Sequence, residues 1–278
     1  MSIEEIIREA IKEDLGNGDH ASLLSVPDTA CGKAELRIKE EGIIAGVDVA
    51  RQVFKQVDES LKMVVFIPDG NSVKKNDIVF TVEGNIRFIL TSERLVLNIM
   101  QRMSGIATKT AYFCGLIKGT NTRLLDTRKT TPNFRIIEKM AVRIGGGYNH
   151  RMGLYDMIML KDNHIDYAGG IENALKKANE YVTNNHINIK IEIETRSLAE
   201  VEKALFAGGF HRIMFDNFTV DNVLKGVEMV NNRYETEASG NINEHTIRDY
   251  AQTGVDFISV GALTHSVKGL DMNLKAII

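Results

Sequence analysis

The sequence predicts an α/β fold, with a small α+β domain followed by an incomplete TIM-like barrel. Three observations predict it. Between Lys33 and Leu90, short runs alternate apolar and polar residues, as half-buried strands require. After Arg123 the rhythm changes to short apolar strands separated by helical segments, the pattern of a parallel sheet. Those later strands also end in residues able to do chemistry: Asp126, Lys161, Glu194, Asp216, Ser239 and Gly261. In a barrel of this kind, the carboxyl ends of the strands carry the site.

The elements follow in order. Ile3, Ile6, Ile7, Ala10 and Ile11 recur at helical spacing and predict an amphipathic first helix. A turn-rich stretch, Asp14 to Asp19, ends it. Ala34–Ile38 and Ile78–Val82 read as strands, Pro68–Asn71 as a turn, and Val47–Val57 as a helix set into the sheet. Ser92 is a candidate cap for a long helix beginning at Glu93. Leu95, Val96, Ile99, Met100 and Met103 form its apolar face, with Arg94, Asn98 and Gln101 on another. Ser104–Gly105 is expected to break it before a second segment, Ala107 to Lys118. Strands are then expected at Leu124–Leu125, Met157–Leu160, Ile189–Ile193, Arg212–Phe215, Tyr234–Ala238 and Phe257–Val260. Six or seven such units fall short of a full eight, hence an incomplete barrel. An open doubly wound sheet is the alternative. The expected division is 1–107 for the first domain and 108–267 for the barrel, with the tail 268–278 packing back on the first.

Composition narrows the function classes. The chain has 278 residues and a formal net charge of −3, so the molecule as a whole carries no nucleic-acid footprint. Cys31 and Cys114 are far apart with no metal-ligand spacing, and read as free thiols of a reducing compartment. The acidic, amphipathic start is unlike a signal peptide. No run of 18 apolar residues offers a membrane span. A cytoplasmic enzyme is the expectation.

Three constellations carry chemistry. From Asp126 to His164 there are seven Lys/Arg against four Asp/Glu, a local +3 in a chain of −3. Arg128, Lys129, Arg151 and Lys161 abut strand ends or the run Gly145–Gly147, and suit an anion site. Arg135, Lys139 and Arg143, at helical spacing, read instead as a solvated helix face. The glycine run permits close backbone approach or positive φ before His150. It is neither a Walker loop nor a dinucleotide fingerprint. His150 fits a packed or a catalytic histidine equally, and His164 fits a loop-holding role. In the second constellation, period two puts Glu192 and Glu194 on one face, and Asp216 ends the next strand. Such carboxylates suit sugar hydroxyls or a hard cation such as Mg²⁺; salt bridges to the lysines opposite are the alternative. Third, Ser239-Gly240-Asn241 and Ser259 to Ser266 expose small residues after two late strands. They suit a phosphate held by backbone N–H groups, or tight packing.

These pieces, in this order, resemble the quinolinate phosphoribosyltransferase family over nearly the whole chain. The resemblance runs through Glu13–Asp19, Glu93-Arg94, Gln101, Ser104–Thr108, Asp126–Pro132 and Gly145–Arg151. It continues through Lys161–His164, Glu192–Glu194, Asp216-Asn217, Glu237–Gly240 and Ser259–Ser266. It implies a seven-stranded incomplete barrel behind an α/β-sandwich domain. The implied reaction joins quinolinate to phosphoribosyl pyrophosphate, with Mg²⁺, giving nicotinate mononucleotide, pyrophosphate and CO₂. Arg128, His150, Arg151 and Lys161 would surround the quinolinate carboxylates, with Arg94 arriving from the partner in a homodimer. Lys129 and Lys161 would lie towards the pyrophosphate, Thr130 would join the substrate-binding set, and Glu194 and Asp216 would hold ribose hydroxyls and help with the metal. Ser239, Gly240, Asn241 and Gly261 would cradle the 5′-phosphate, with His265. On this resemblance Lys129, Lys161, Glu194 and Asp216 are the catalytic set. Two positions depart from the family: His20 stands where threonine is common, and Asn241 where a second glycine is. Other readings of the same residues are a related phosphoribosyltransferase-like protein that accompanies molybdate transport, a sensor of phosphoribosyl pyrophosphate, and a lyase using Lys161 as a Schiff base.

Overall fold

The isoleucine spacing at the start forms α1 (Ile3–Leu15). Ser2 opens it: its hydroxyl accepts from the Glu5 amide, and the Glu5 carboxylate accepts from the Ser2 N–H. Reciprocal capping of this kind is worth about 1 kcal/mol. The computed structural model describes residues 1–277, in two units. The first takes 1–111, 130–146 and the chain from 263 onward; the second takes 112–129 and 147–262.

After α1 come α2 (His20–Ser25), β1 (Cys31–Ile38), β2 (Gly42–Ile43), α3 (Val47–Val57), β3 (Lys62–Val65), β4 (Ser72–Val73), β5 (Ile78–Asn85) and α4 (Ile86–Leu116). The short α2 lies just beyond the turn-rich stretch Asp14–Asp19 and is not among the expected elements, because a six-residue helix shows too little periodicity. Asp19 caps it by accepting from the Ser22 amide at 3.0 Å, and His20 is its exposed first residue.

The long helix α4 corrects two expectations. It starts at Ile86, straight after β5, so Ser92 is not its cap. The Ser92 hydroxyl donates back to the Phe88 and Ile89 carbonyls at 2.8 and 3.0 Å, which satisfies a serine within a helix. Nor do Ser104 and Gly105 break it. Ser104 Oγ accepts from Ala45 N at 3.0 Å and donates to Ala45 O at 3.1 Å. Gly105 lies where any Cβ would overlap the Lys268 carbonyl. Close packing, not helix termination, explains the pair.

The chain continues with β6 (Arg123–Leu125), α5 (Arg135–Ile144), β7 (Met157–Leu160), α6 (Asp162–Ala168), α7 (Ile171–Asn184), β8 (Lys190–Thr195), α8 (Leu198–Ala207), β9 (Arg212–Asp216), α9 (Val220–Val230), β10 (Glu235–Ser239), α10 (Ile247–Gln252), β11 (Phe257–Ser259), α11 (Ala262–His265) and β12 (Met272–Ile277). In the first unit, β12-β1-β5-β3 form an antiparallel sheet. Leu36, Ile38, Phe80 and Val82 from its strands are buried, and Phe80 meets Phe54 of α3 edge to face at 5.9 Å. The helix α5 corrects another expectation. Lys139 does not sit on a solvated face: it is 1% exposed, beside buried Ile137, Glu138, Ala141 and Val142. Helical spacing alone does not distinguish a surface helix from one enclosed on several sides.

The second unit is built on a parallel six-stranded sheet, in the order β6-β11-β10-β9-β8-β7. A seventh element is a single residue: Tyr148 forms a parallel bridge to Leu125 on the far side of β6 from β11. It stays one residue long because its neighbours are taken. Gly146 turns with φ 91°, and the Asp126 carboxylate holds Asn149 and the His150 amide. The pairing register sets the chemistry. Glu192 lies opposite Arg212, Glu194 opposite Met214, Met214 opposite Glu237, and Asp216 opposite Ser239. With a side-chain period of two, these residues share one face of the sheet. Among the described residues, no helix is long and apolar enough to cross a membrane.

Candidate active site

The carboxyl ends of the parallel strands bring four of the expected residues to one rim. Lys161 follows β7, Glu194 lies near the end of β8, Asp216 ends β9 and Ser239 ends β10. Lys161 Nζ pairs with Glu194 Oε2 at 3.0 Å; the lysine side chain is 46% exposed and the carboxylate 7%. The pair leaves nearly half of the lysine side chain exposed. The Lys161 amide donates to His164 Nδ1 at 3.0 Å, so His164 holds the loop, as its spacing suggested. Burial, and then the Glu194 charge, push the Asp216 carboxyl above the usual carboxylate range. Asn217 Nδ2 donates to it at 2.8 Å. Two neighbouring carboxyl groups, both with hard oxygen donors, suit a divalent cation or a sugar diol.

The next loop explains the unusual residue at 241. Gly240 has φ 94°, and a Cβ there would overlap the side chain and backbone of Asn217. Asn241 follows at φ 52°. Asparagine tolerates this left-handed region better than other side chains. Its amide also donates to Asn217 Oδ1 at 3.0 Å, so Asn241 takes the backbone state that a glycine would. Gly261 follows β11 and is half-buried.

The same unit holds the guanidinium groups. Arg151 is 8% exposed and donates to the Met157 carbonyl at 3.2 Å. Burial, and then the charge of Arg128, push its pKa below the usual arginine range. Lys129 is exposed, and its amide donates to Thr127 Oγ1 at 3.1 Å.

His150 lies in the same unit. It is 7% exposed and has both ring nitrogens turned to protein groups. The Arg151 amide donates to Nδ1 at 2.7 Å. Nε2 lies 3.1 Å from Glu192 and 3.3 Å from Glu237. Burial pulls the imidazole pKa down, but Glu237 and Glu192 outweigh it and push it up to about 9. Burial, and then the charge of Glu237, raise Glu192. The imidazolium, and a neutral ring beside a protonated Glu192, differ only in where one proton sits. The amide at Nδ1 needs a lone pair there and selects the second.

Beside this ring lies a group of charges that sequence reading missed. Arg212 is 7% exposed; its Nη1 meets Glu237 at 3.0 Å, and its Nη2 meets Glu235 at 3.1 Å. Its guanidinium stacks 4.1 Å from the Phe257 ring. Alternation put Glu192 on one face with Glu194, with sugar hydroxyls or a hard cation as the expected partners and lysines as the alternative. Its partner at 3.1 Å is His150, whose approach no local pattern encodes.

The remaining expected residues belong to the first unit. Arg94 is exposed on α4. The Thr130 hydroxyl accepts from Arg135 Nε at 2.9 Å. His265 is exposed and pairs with Ser266 Oγ at 2.6 Å. There Glu138, fully buried, is a second group that sequence reading missed: Arg102 donates to it at 2.7 Å, and the Thr131 hydroxyl at 2.8 Å. The glycine run is structural. A Cβ on Gly145 would collide with Ala107 and Thr110 of α4, and Gly146 makes the turn.

Comparison with known proteins follows the same outline. The family descriptions "Quinolinate phosphoribosyl transferase, N-terminal domain" and "C-terminal domain" match residues 19–104 and 106–275. A Nicotiana tabacum protein named quinolinate phosphoribosyltransferase [decarboxylating] 2b, mitochondrial, is 45% identical over 98% of this chain and 82% of its own. A Bacillus subtilis protein named probable nicotinate-nucleotide pyrophosphorylase [carboxylating] is 40% identical over 99% of this chain and 93% of its own. The solved nicotinate-nucleotide pyrophosphorylase of Francisella tularensis superposes with a TM-score of 0.92 at 39% identity, covering 99% of this chain and 96% of that one.

Proposed function

This chain belongs to the quinolinate phosphoribosyltransferase family, and from that premise we propose how its residues divide the work. The enzyme transfers phosphoribosyl from phosphoribosyl pyrophosphate to quinolinate with decarboxylation. The products are nicotinate mononucleotide, pyrophosphate and CO₂, in NAD biosynthesis. We read the six strands and the Tyr148 bridge as the seven staves of an incomplete barrel, with the antiparallel sheet as one layer of a sandwich.

The observation that carries the assignment is the Lys161–Glu194 pair at 3.0 Å, with Asp216 at the next strand end, in the unit that also holds Arg128 and Arg151. A guanidinium group pairs with a carboxylate by a planar fork, and quinolinate carries two carboxylates. We assign Arg128 and Arg151 to these carboxylates, with Lys161 between them and the ribose. Lys129 is assigned to the pyrophosphate. Ser239, Gly240, Asn241 and Gly261 are assigned to the 5′-phosphate.

Glu194 and Asp216 face the ribose in this reading. The bond from C1′ to the pyrophosphate oxygen breaks as the ring nitrogen bonds C1′. Positive charge that develops on the sugar is stabilised by the two carboxylates. Loss of CO₂ then leaves an electron pair on the ring carbon, beside the quaternised nitrogen and the surrounding cations, until a proton from solvent takes it. The same carboxylates are hard oxygen donors and fit Mg²⁺, which when bound would offset the pyrophosphate charge. Neither cysteine is in a disulfide, which accords with a reducing compartment, and we assign the enzyme to the cytoplasm.

The test is a coupled assay offering quinolinate, nicotinate or nicotinamide with phosphoribosyl pyrophosphate and Mg²⁺. Turnover is expected with quinolinate alone, with one CO₂ per nucleotide; preference for nicotinate overturns the reading. Arg94, exposed on α4, is assigned to the partner's site in a homodimer. Arg94→Ala and Lys161→Ala proteins should each be inactive and regain activity when mixed, through hybrid dimers holding one intact site. Subunit exchange without recovered activity counts against the shared site.

A further inference from the structure

The charges behind the rim form a continuous line. Lys190 meets Glu235 at 3.3 Å, Glu235 meets Arg212 at 3.1 Å, and Arg212 meets Glu237 at 3.0 Å. Glu237 approaches His150 Nε2 at 3.3 Å, and His150 Nδ1 accepts from the Arg151 amide at 2.7 Å. The line thus runs from the amino ends of β8 and β10 to the peptide of a proposed substrate-binding arginine. Its middle members are sealed: Glu237 is 0% exposed and Arg212 7% exposed, and Glu192 beside them is 0% exposed. Burying such groups costs several kcal/mol before pairing. A hydrophobic filling would serve stability as well or better. The arrangement therefore calls for a role other than packing.

We propose that Glu237, anchored by Arg212, is a positioning residue: with Glu192 it holds the His150 ring on one nitrogen, so that the other orients the Arg151 peptide towards the acceptor dicarboxylate. The geometry is one-directional. A ring held only at Nδ1 swings about its Cα–Cβ and Cβ–Cγ bonds; carboxylates at Nε2 remove that freedom. With the ring fixed, the Arg151 amide direction is set, and Asp126 sets the amide before it by accepting from His150 N at 2.8 Å. The ligand atoms of His150, Glu192 and Glu237 lie within 4.8 Å of one another, a spacing that suits a metal ion. Arg212 already neutralises Glu237, however, and the Arg151 amide occupies Nδ1. Arg212 pairs with Glu237 at 3.0 Å and His150 Nε2 lies 3.1 Å from Glu192, so charge pairing holds the cluster together.

The inference rests on the assignment of Arg151 to quinolinate, and the experiment separates the two. Glu237→Gln keeps the volume and removes the charge. Its KM for quinolinate is expected to rise at least tenfold, while KM for phosphoribosyl pyrophosphate changes less than twofold. Nitrogen-15 NMR of the His150 ring, assigned by the signal that disappears in His150→Gln, is the structural readout. The wild-type ring should show an unprotonated Nδ1 and a protonated Nε2 from pH 6 to 8. Glu237→Gln should lose this fixed tautomer. Should that variant fail to fold, Arg212→Lys keeps the charge but reaches only one of the two glutamates, and the same split is expected. An unchanged quinolinate KM with an unchanged ring spectrum overturns the positioning role while leaving the enzyme assignment intact. Equal rises in both KM values overturn it too, since they report general loosening. A wild-type protein that does not turn over quinolinate overturns the parent assignment instead.

Discussion

Lys161→Ala should lower kcat/KM for quinolinate by about 10³-fold, the loss typical of removing one preorganised charge from the reacting centre. Lys161 is the cation at the strand-end rim that touches a proposed ribose-facing acid, at 3.0 Å from Glu194. Its removal has two consequences. The developing negative charge on pyrophosphate and on the ring carbon loses a partner, and Glu194, 7% exposed, loses its cation. The loss should fall on kcat more than on KM, because both effects are largest where charge is moving. Stability should change by only about 1–2 kcal/mol, since the lysine is half in solvent. Steady-state kinetics and thermal unfolding of the same preparation check both statements. Lys161→Arg should not restore the rate, because a planar fork cannot reproduce a compact ammonium. The experiment also bears on the lyase reading. A lysine paired as ammonium with a buried carboxylate has no lone pair for a carbonyl. Borohydride trapping of a substrate adduct at Lys161 would favour the lyase.

Arg128→Ala should raise KM for quinolinate by about 100-fold, with KM for phosphoribosyl pyrophosphate within about threefold of wild type. Removing a bidentate guanidinium–carboxylate pair from a partly buried site costs about 3 kcal/mol, and each 1.4 kcal/mol is about tenfold. Burial, and then the like charge of Arg128, lower the pKa of Arg151. The variant should therefore fold at least as stably as wild type, a trade of stability for function common at binding sites. Thermal unfolding with and without quinolinate reads this directly. The wild type gains stability as ligand exceeds its dissociation constant, and Arg128→Ala should gain little at the same concentration. A quinolinate-induced shift equal to wild type would remove Arg128 from the acceptor site.

Much of this arrangement is legible in the chain. The helix Val47–Val57 and the strand Met157–Leu160 have the limits that their patterns predict. Asp126, Lys161, Glu194, Asp216 and Ser239 lie at or near the carboxyl ends of parallel strands, as apolar runs closed by polar residues imply. Period-two alternation puts Glu192 and Glu194 on one face, and the register agrees. The positions that depart from expectation share one cause. Local preference misjudges Ser92, Gly105 and Lys139, because each is governed by where its helix begins, by a neighbour distant in sequence or by enclosure.

The sequence by itself determined the α/β class, the family and the residue types at the rim. Hydrophobic period and strand-end chemistry are local properties, and long motifs survive in the linear order. Only the tertiary structure decided which charges meet. The cationic segment from Asp126 to His164 is not one patch: Lys139 is buried in the first unit, while Arg128, Arg151 and Lys161 belong to the second. The line from Lys190 through Glu235, Arg212 and Glu237 to His150 joins four segments spread over 88 positions, from 150 to 237 inclusive. Buried charges are stable only where partners converge in space. That convergence is set by sheet register, which no local window of sequence contains.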